Sequence, residues 1–554
     1  MKRIVISLLS VGLLFSSCEK DFGEINKNPN QPEEYLTSAL FGNASFGFMY
    51  NLRKNANSAS LMRTWMQYTS ETTYTKESRY QYKEGAGNNL WKQIYKRAEV
   101  ANKIIKLNTD PETKGQAAVF GSNLGQICAA RTMMAYFFSI LTETFGDAPY
   151  YSYGSRGNKK FQALQLEDYI TPEYADQKDI YLDILKELGE VSKDLSTLNE
   201  NDEVFSQGDF IFGSIGKLKR FTNSLRLRIV NHVKDVKDTE LKAAAMAVIN
   251  HYVSGNESEL LKEGENVDLL FENNYDYCAP IYNDFFIDQR MDYVPSNTFV
   301  KFLIGTNKHA LDRGLSFGVD PRVQKYFAPV GTGKQEALKG EYDEPTTIDT
   351  TKYKGMPYGM AEGTTESQFG GGTKISLFSS TILQAEYREV LMDYSEVCFI
   401  LSEIRGWNNY WYKAGVKASM DKWNVDATKA TNFINSLPAA TAETVMTQKY
   451  VALYMNPNEG WTEYRRTGYP KFLIKVGERV KTNFLLDEDG SATDINNNSY
   501  KFESMYDGNT GVPERVNYPL EYKGLNQANY NKARAKTNGD SMMHKLIFAE
   551  NRPQ

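Results

Sequence analysis

Residues 123–145 read NLGQICAARTMMAYFFSILTETF. Apolar side chains fall on nearly every face of this stretch, the pattern of a helix enclosed by protein. Gly146 stops it, with Pro149 just beyond. Neighbouring segments repeat the theme in amphipathic form. Upstream, Trp91, Ile94, Tyr95, Ala98, Ala101 and Ile105 share one helical face. Downstream, Ile180, Ile184, Leu188, Val191 and Leu195 form one stripe, and Ile215, Leu218, Phe221, Leu225 and Ile229 form another. EVLMDYSEVCFILSEIRGW (389–407) predicts a second buried helix, YKAGVKASMDKW (412–423) its partner, and MTQKYVALYM (446–455) the last strong helix. Pairing 91–107 with 123–145, and 388–405 with 410–424, gives helix pairs like those of drifted helical repeats. Two stretches, 328–380 and 483–535, are rich in loop-forming residues and lack periodicity, and such long loops are uncommon unless they bind something. The expected fold is mainly α: a single large domain of helix pairs carrying long irregular loops, with little β.

The chain begins MKRIVISLLSVGLLFSSCEK. Its apolar run, Ile4 to Phe15, has 12 residues, against roughly 20 for a membrane-spanning helix. Lys2 and Arg3 before it, and Ser16 and Ser17 after it, make residues 1–17 an export signal. Cys18 follows where cleavage falls. FSSC resembles a bacterial lipobox, with Phe15 in place of the usual Leu, which puts lipid on Cys18; several acyl chains there make a stable tether. Residues 18–35 read as that tether and 36–554 as the domain. No later run is long enough to span a bilayer. The 537 residues after the signal carry 62 basic and 69 acidic side chains and no basic block, so nothing points to nucleic acid. Cys128, Cys278 and Cys398 are far apart with no CxxC, which excludes a disulfide scaffold and a zinc site.

A search for catalytic chemistry finds little. The four histidines never occur as HxH or HExxH, and no GxSxG exists. GTGKQ (331–335) lacks the earlier Gly and the Ser or Thr of a phosphate loop. Glu396 and Glu403 lie seven residues apart, about 10 Å along a helix. They project from an otherwise apolar segment, and a buried carboxylate there needs a cation. EGWTEYRRTGYP supplies Arg465 and Arg466, so a structural fork between one of these glutamates and one of these arginines is the expected role. DEDGSATDINNN (487–498) offers Asp487, Asp489 and Asp494 as oxygen ligands for calcium, but Gly490 comes too early for an EF-hand and Asn498 stands at the twelfth position. A solvated acidic turn is the plainer reading, and no cofactor is expected.

Several motifs in order carry a resemblance. INKNPNQP (25–32), the helix from Trp91 and Tyr95 to Asn102, the block from Arg131 through Gly146, Asp147, Pro149 and Tyr150, and KRFTNSLRLR (219–228) come first. DPRVQKYF (320–327), EVCFILSEIRGW (396–407), GWTEYRRTGYP (460–470) and VPERVNYP (512–519) follow. Together they resemble the SusD/RagB family of nutrient-binding outer-membrane lipoproteins. Phe145 stands where Tyr is common before GD, and LSEIRGW departs from the usual LAEAxxRGW. The resemblance implies a TPR-like domain, a lipid anchor facing the cell exterior, a SusC-like TonB-dependent transporter as partner, and binding rather than catalysis. Glu19, Asp21 and Glu24 loosely resemble the acidic export signals of such surface lipoproteins.

The matched motifs are scaffold, so a pocket has to be sought from residue chemistry. The chain holds 36 Tyr, and aromatic faces beside polar groups suit sugars. WMQYTSETTYTKESRYQYKEGAGNN (65–89) supplies Trp65, Tyr68, Tyr74, Tyr80 and Tyr82; YDYCAPIYNDFFIDQRMDYVPS (275–296) supplies Tyr277, Arg290, Asp292 and Tyr293. Oligosaccharide is the leading cargo, oligopeptide the alternative, and a surface glycosidase a third, distant reading.

Overall fold

The computed structural model describes residues 36–54, 60–361, 374–481, 499–509 and 511–552. Cys18, the signal and tether of residues 1–35, and Asp487, Asp489 and Asp494 lie outside the described residues. The main helices are α1 (Thr37–Arg53), α2 (Ser60–Trp65), α3 (Asn88–Thr109), α4 (Asn123–Phe145), α5 (Gln177–Leu195), α6 (Ile215–Val233) and α7 (Thr239–Val253). Then come α8 (Tyr394–Ile404), α9 (Asn409–Lys422), α10 (Ala427–Ser436), α11 (Ala442–Ala452), α12 (Pro457–Thr467) and α13 (Gln527–Lys536). The stretch after 455 therefore holds further helices beyond the one expected to be last.

The long helices of the first half form a running stack: α1 on α3, α3 on α4, α4 on α5, α5 on α6 and α6 on α7, while α2 packs on α12. A second group, α8 with α9 and α11, joins the first through α6. The apolar helix α4 sits at the centre. The Ser122 hydroxyl caps it by accepting from the Gly125 amide, and Gly146 ends it at φ +94°, a left-handed conformation that glycine adopts without cost. By length and composition α4 could cross a membrane, contrary to expectation for any run after the leader, but it is almost wholly buried among its neighbours.

Among the described residues, sheet is confined to two-stranded antiparallel pairs: β1 (Thr69–Glu71) with β3 (Tyr293–Pro295), β2 (Val267–Leu270) with β4 (Arg388–Met392), and β5 (Arg479–Lys481) with β6 (Ser499–Lys501). Strand β4 corrects the expectation of one helix over 389–407. The Asp393 carboxylate accepts from the Glu396 amide and caps α8, so the apolar residues before it remain extended.

A buried ionic seam ties the two helix groups together. Glu396 and Glu403 of α8 take different arginines. Arg228 of α6 grips Glu396 through two bonds of 2.6 Å; burial pushes that carboxyl upward and the arginine opposes it. Arg466 of α12 grips Glu403 through two bonds of 2.7 Å. Arg465 forks no carboxylate; it donates to the Glu143 and Glu514 carbonyls and lies 3.4 Å from the centre of the Trp461 ring. Lys449 of α11 meets Glu463 at 2.8 Å, and Lys234 meets Glu403 at 3.2 Å.

His232 sits at the middle, with Nδ1 2.8 Å from Glu143 and Nε2 2.8 Å from Glu459. Three potential metal ligands thus lie close together. However, the carboxylates flank opposite ring nitrogens, so a proton on each nitrogen satisfies both. Burial disfavours the imidazolium, but the two glutamates outweigh it and hold the His232 pKa well above its ordinary value. With His232 charged, five cations face five carboxylates.

Two outcomes follow for stability. Glu403→Gln leaves Arg466 with Glu463 as its one carboxylate, unbalances the buried network by one charge, and lowers the unfolding free energy by about 3 kcal/mol in urea denaturation. His232 has a folded pKa above its unfolded 6.5, so its contribution is complete below that pH and is lost as pH rises through the folded value. Glu403 and Glu459, held down at about 2 against 4.5, contribute above pH 4.5 and lose that contribution as pH falls towards 2. Melting temperature against pH should therefore fall on both sides, and His232→Gln should lessen the decline above pH 6.5 while leaving the acid one.

Candidate functional site

The loop after α2 is rooted in the helical core. The Tyr68 hydroxyl donates to the Tyr450 carbonyl at 2.6 Å, the Tyr450 hydroxyl donates to the Met66 carbonyl at 2.8 Å, and the two rings stack at 4.4 Å. Trp65 packs on Trp461 of α12 at 5.3 Å. From this root the chain enters β1, which pairs with β3 in the register Thr69↔Pro295, Ser70↔Val294, Glu71↔Tyr293. The Thr72 amide extends the ladder to the Asp292 carbonyl. Segments more than 200 residues apart in sequence are thus zipped together, and where they diverge a cavity of about 770 Å³ opens.

The wall carries charge of both signs. Lys54, Lys76, Lys83 and Arg290 line it with Glu71, Glu77, Asp284, Asp288 and Asp292. Lys54, just past α1, reaches Asp288 at 2.9 Å and Asp284 at 3.4 Å. Arg53 beside it is locked by Glu389 of β4 and by the Asn456 and Asn458 amide oxygens at the start of α12. Asp284 comes from a single π-helical turn, Asn283–Ile287, a distortion that recurs at functional sites. It accepts from the Tyr293 hydroxyl at 3.0 Å, and burial raises its carboxyl against the pull of Lys54. Glu71 is buried and accepts from the Ser78 amide and hydroxyl at 2.9 Å each. Burial, then the neighbouring Glu77 charge, hold its carboxyl well above the usual range, so it keeps a proton to higher pH than an exposed glutamate.

Tyr74 gives the cavity an aromatic face. It is 57% exposed, takes φ +54°, and lies 5.5 Å from the Arg290 guanidinium. A left-handed backbone costs a non-glycine residue about 1 kcal/mol, and Gln67 and Tyr80 share it in the same loop. Strain of this kind collects at ligand clamps. Arg290 is held by Asp292 at 2.7 Å, and Asp292 also accepts from the Thr73 hydroxyl at 3.2 Å.

Of the aromatic and charged residues proposed from sequence, Tyr74, Arg290, Asp292 and Tyr293 line one cavity. Trp65, Tyr68 and Tyr80 correct the expectation: all three are buried in the core, where they root the loop and offer no face to a ligand. Tyr82 is exposed outside the cavity lining, 6.4 Å from Tyr506, and Tyr277 is 50% exposed against Phe46. Lys54, Glu71, Glu77 and Asp284 were missed. The one signal for the three carboxylates was two charge-rich loops, which only β1–β3 pairing makes neighbours; Lys54, at the end of α1, carried no signal of its own.

A SusD-like family profile described as "Starch-binding associating with outer membrane" matches residues 29–484, and one described as "Susd and RagB outer membrane lipoprotein" matches 438–548. No curated protein matches in sequence. Among solved structures, a SusD homologue from Parabacteroides distasonis is 20% identical over 94% of this chain and 99% of its own, with a TM-score of 0.69. A chitin-binding SusD homologue from Flavobacterium johnsoniae is 20% identical over 93% and 98%, with a TM-score of 0.61. A SusD homologue from Bacteroides fragilis is 17% identical over 93% and 99%, also at 0.61. At these identities the structures share the fold.

Stability measurements separate core tyrosines from displayed ones. Trp65→Ala should cost about 3–5 kcal/mol, whereas Tyr74→Ala should stay within about 0.5 kcal/mol of the parent.

Proposed function

The chain belongs to the SusD-like family, and on that premise we propose that it is a cell-surface glycan-binding lipoprotein, anchored through Cys18, that captures oligosaccharides in the cavity between the 65–89 and 275–296 loops. It acts as the lid of a SusC-like TonB-dependent transporter and passes cargo into it without chemical change. The observation that carries this reading is Tyr74, presented in a strained conformation beside Arg290 at the mouth of a cavity rich in donors and acceptors. The flat ring suits the C–H face of a sugar, while Asp288, Asp292 and Lys76 offer partners to hydroxyls. A relative of the same fold is named as chitin-binding, which makes N-acetylglucosamine oligomers a first probe beside starch fragments.

The mixed charge of the wall supports a second reading, in which oligopeptide termini meet the lysines and carboxylates. Calorimetric titration with chito- and malto-oligosaccharides and with a mixed oligopeptide pool distinguishes the two. For the cargo that binds, Tyr74→Ala and Arg290→Ala should each weaken affinity at least about tenfold, or 1.4 kcal/mol, and the ligand should be recovered uncleaved. Unchanged affinity in either variant, or release of shorter fragments, would contradict the proposal.

A further inference from the structure

We propose that the aromatic face formed by Phe46 and Tyr50 of α1 with Tyr277 extends the cavity into an elongated subsite for a carbohydrate chain, so that the protein selects cargo by length. The inference rests on the glycan-binding reading above. Phe46, Tyr50 and Lys54 are spaced by four residues and lie along one side of α1. Lys54 belongs to both regions: it lines the cavity and sits 5.7 Å from the Tyr50 ring. From Tyr50 the rings continue to Phe46 at 6.0 Å, nearly parallel, and from Phe46 to Tyr277 at 5.1 Å, edge to face. Phe271 is buried behind them, 5.1 Å from Phe46 and 6.4 Å from Tyr50. The strip spans about 12 Å from Phe46 to Lys54, at 1.5 Å of rise per residue.

The occupant follows from what the strip offers. Phe46 and Tyr50 are partly exposed and Tyr277 half-exposed. Two of the three rings carry hydroxyls, giving apolar faces with polar edges. That alternation matches a chain of sugar rings, which presents C–H faces rimmed by hydroxyls. The strip is continuous with the cavity through Lys54, so a chain whose end occupies the cavity is led along α1 towards Tyr277. A two-ring ligand is short enough to lie within the cavity, of about 770 Å³, without reaching the strip.

Electrophoresis through gels containing starch, glycol chitin, xylan, mannan or pectin identifies a retained polymer. Its oligosaccharides, from two to eight units, are then titrated into the parent protein, Tyr277→Ala, Tyr277→Phe and Arg290→Ala, each checked for an unchanged melting temperature. The parent should bind longer chains progressively more tightly. Tyr277→Ala should weaken the longest chains about tenfold and leave the two-unit ligand unchanged, while Tyr277→Phe retains the parent's affinity. Equal effects of Tyr277→Ala at every length, or no effect on the longest, overturn the subsite and leave the cavity reading standing. Undiminished binding by Arg290→Ala contradicts the cavity reading itself, and retention by none of the polymers contradicts both.

Discussion

The buried ionic seam centred on His232 is the constraint from which the rest of the molecule is built. Taking so many charged groups from water is costly unless every one is paired. The pairing fixes how α4, α6, α8, α11 and α12 meet, because moving one helix strands a charge on another. Two of these helices carry the consequence outward. On α11, Lys449 turns into the seam while Tyr450, the next residue, grips the root of the 65–89 loop through Tyr68. On α12, Glu459, Glu463 and Arg466 face the seam, while Asn458 holds Arg53 and Trp461 packs on Trp65. The loop root and Lys54 are thus placed by the elements that close the charge network, and the cavity inherits its shape from a rigid base.

That arrangement separates what must be kept from what is free to vary. Seam and stack residues belong to the scaffold, which the solved SusD homologues share at 17–20% identity. Tyr74, Lys76, Asp288, Arg290 and Asp292 stand on exposed loops whose backbone is held by a three-residue ladder. Changing them alters the surface offered to a ligand at little cost to the fold. Their ion pairs are mostly open to solvent and individually weak, so polar groups of a ligand can replace them.

The scaffold was legible because helix burial leaves a period in the sequence: α4, α5 and α6 coincide with their apolar patterns. Strand β4 was not, since EVLM merges with the apolar helix behind it and only the Asp393 cap marks the change. The site was half legible. Both loops were recognisable from aromatics set among polar residues, but nothing local tells Tyr74, displayed in solvent, from Tyr68, whose hydroxyl finds a carbonyl 382 positions away. Arg228, the partner of Glu396, lies 168 positions from it. His232 was passed over because a lone histidine carries no motif, and its role exists only once Glu143 and Glu459 converge on it.

Hydrogen–deuterium exchange with and without the retained glycan tests most directly the claim that two distant loops, zipped by β1 and β3, form one binding site. The account predicts slowed exchange in 71–83 and 284–293 together, with the α4 and α6 core unchanged. Protection confined to one loop, or appearing only elsewhere on the molecule, would contradict it.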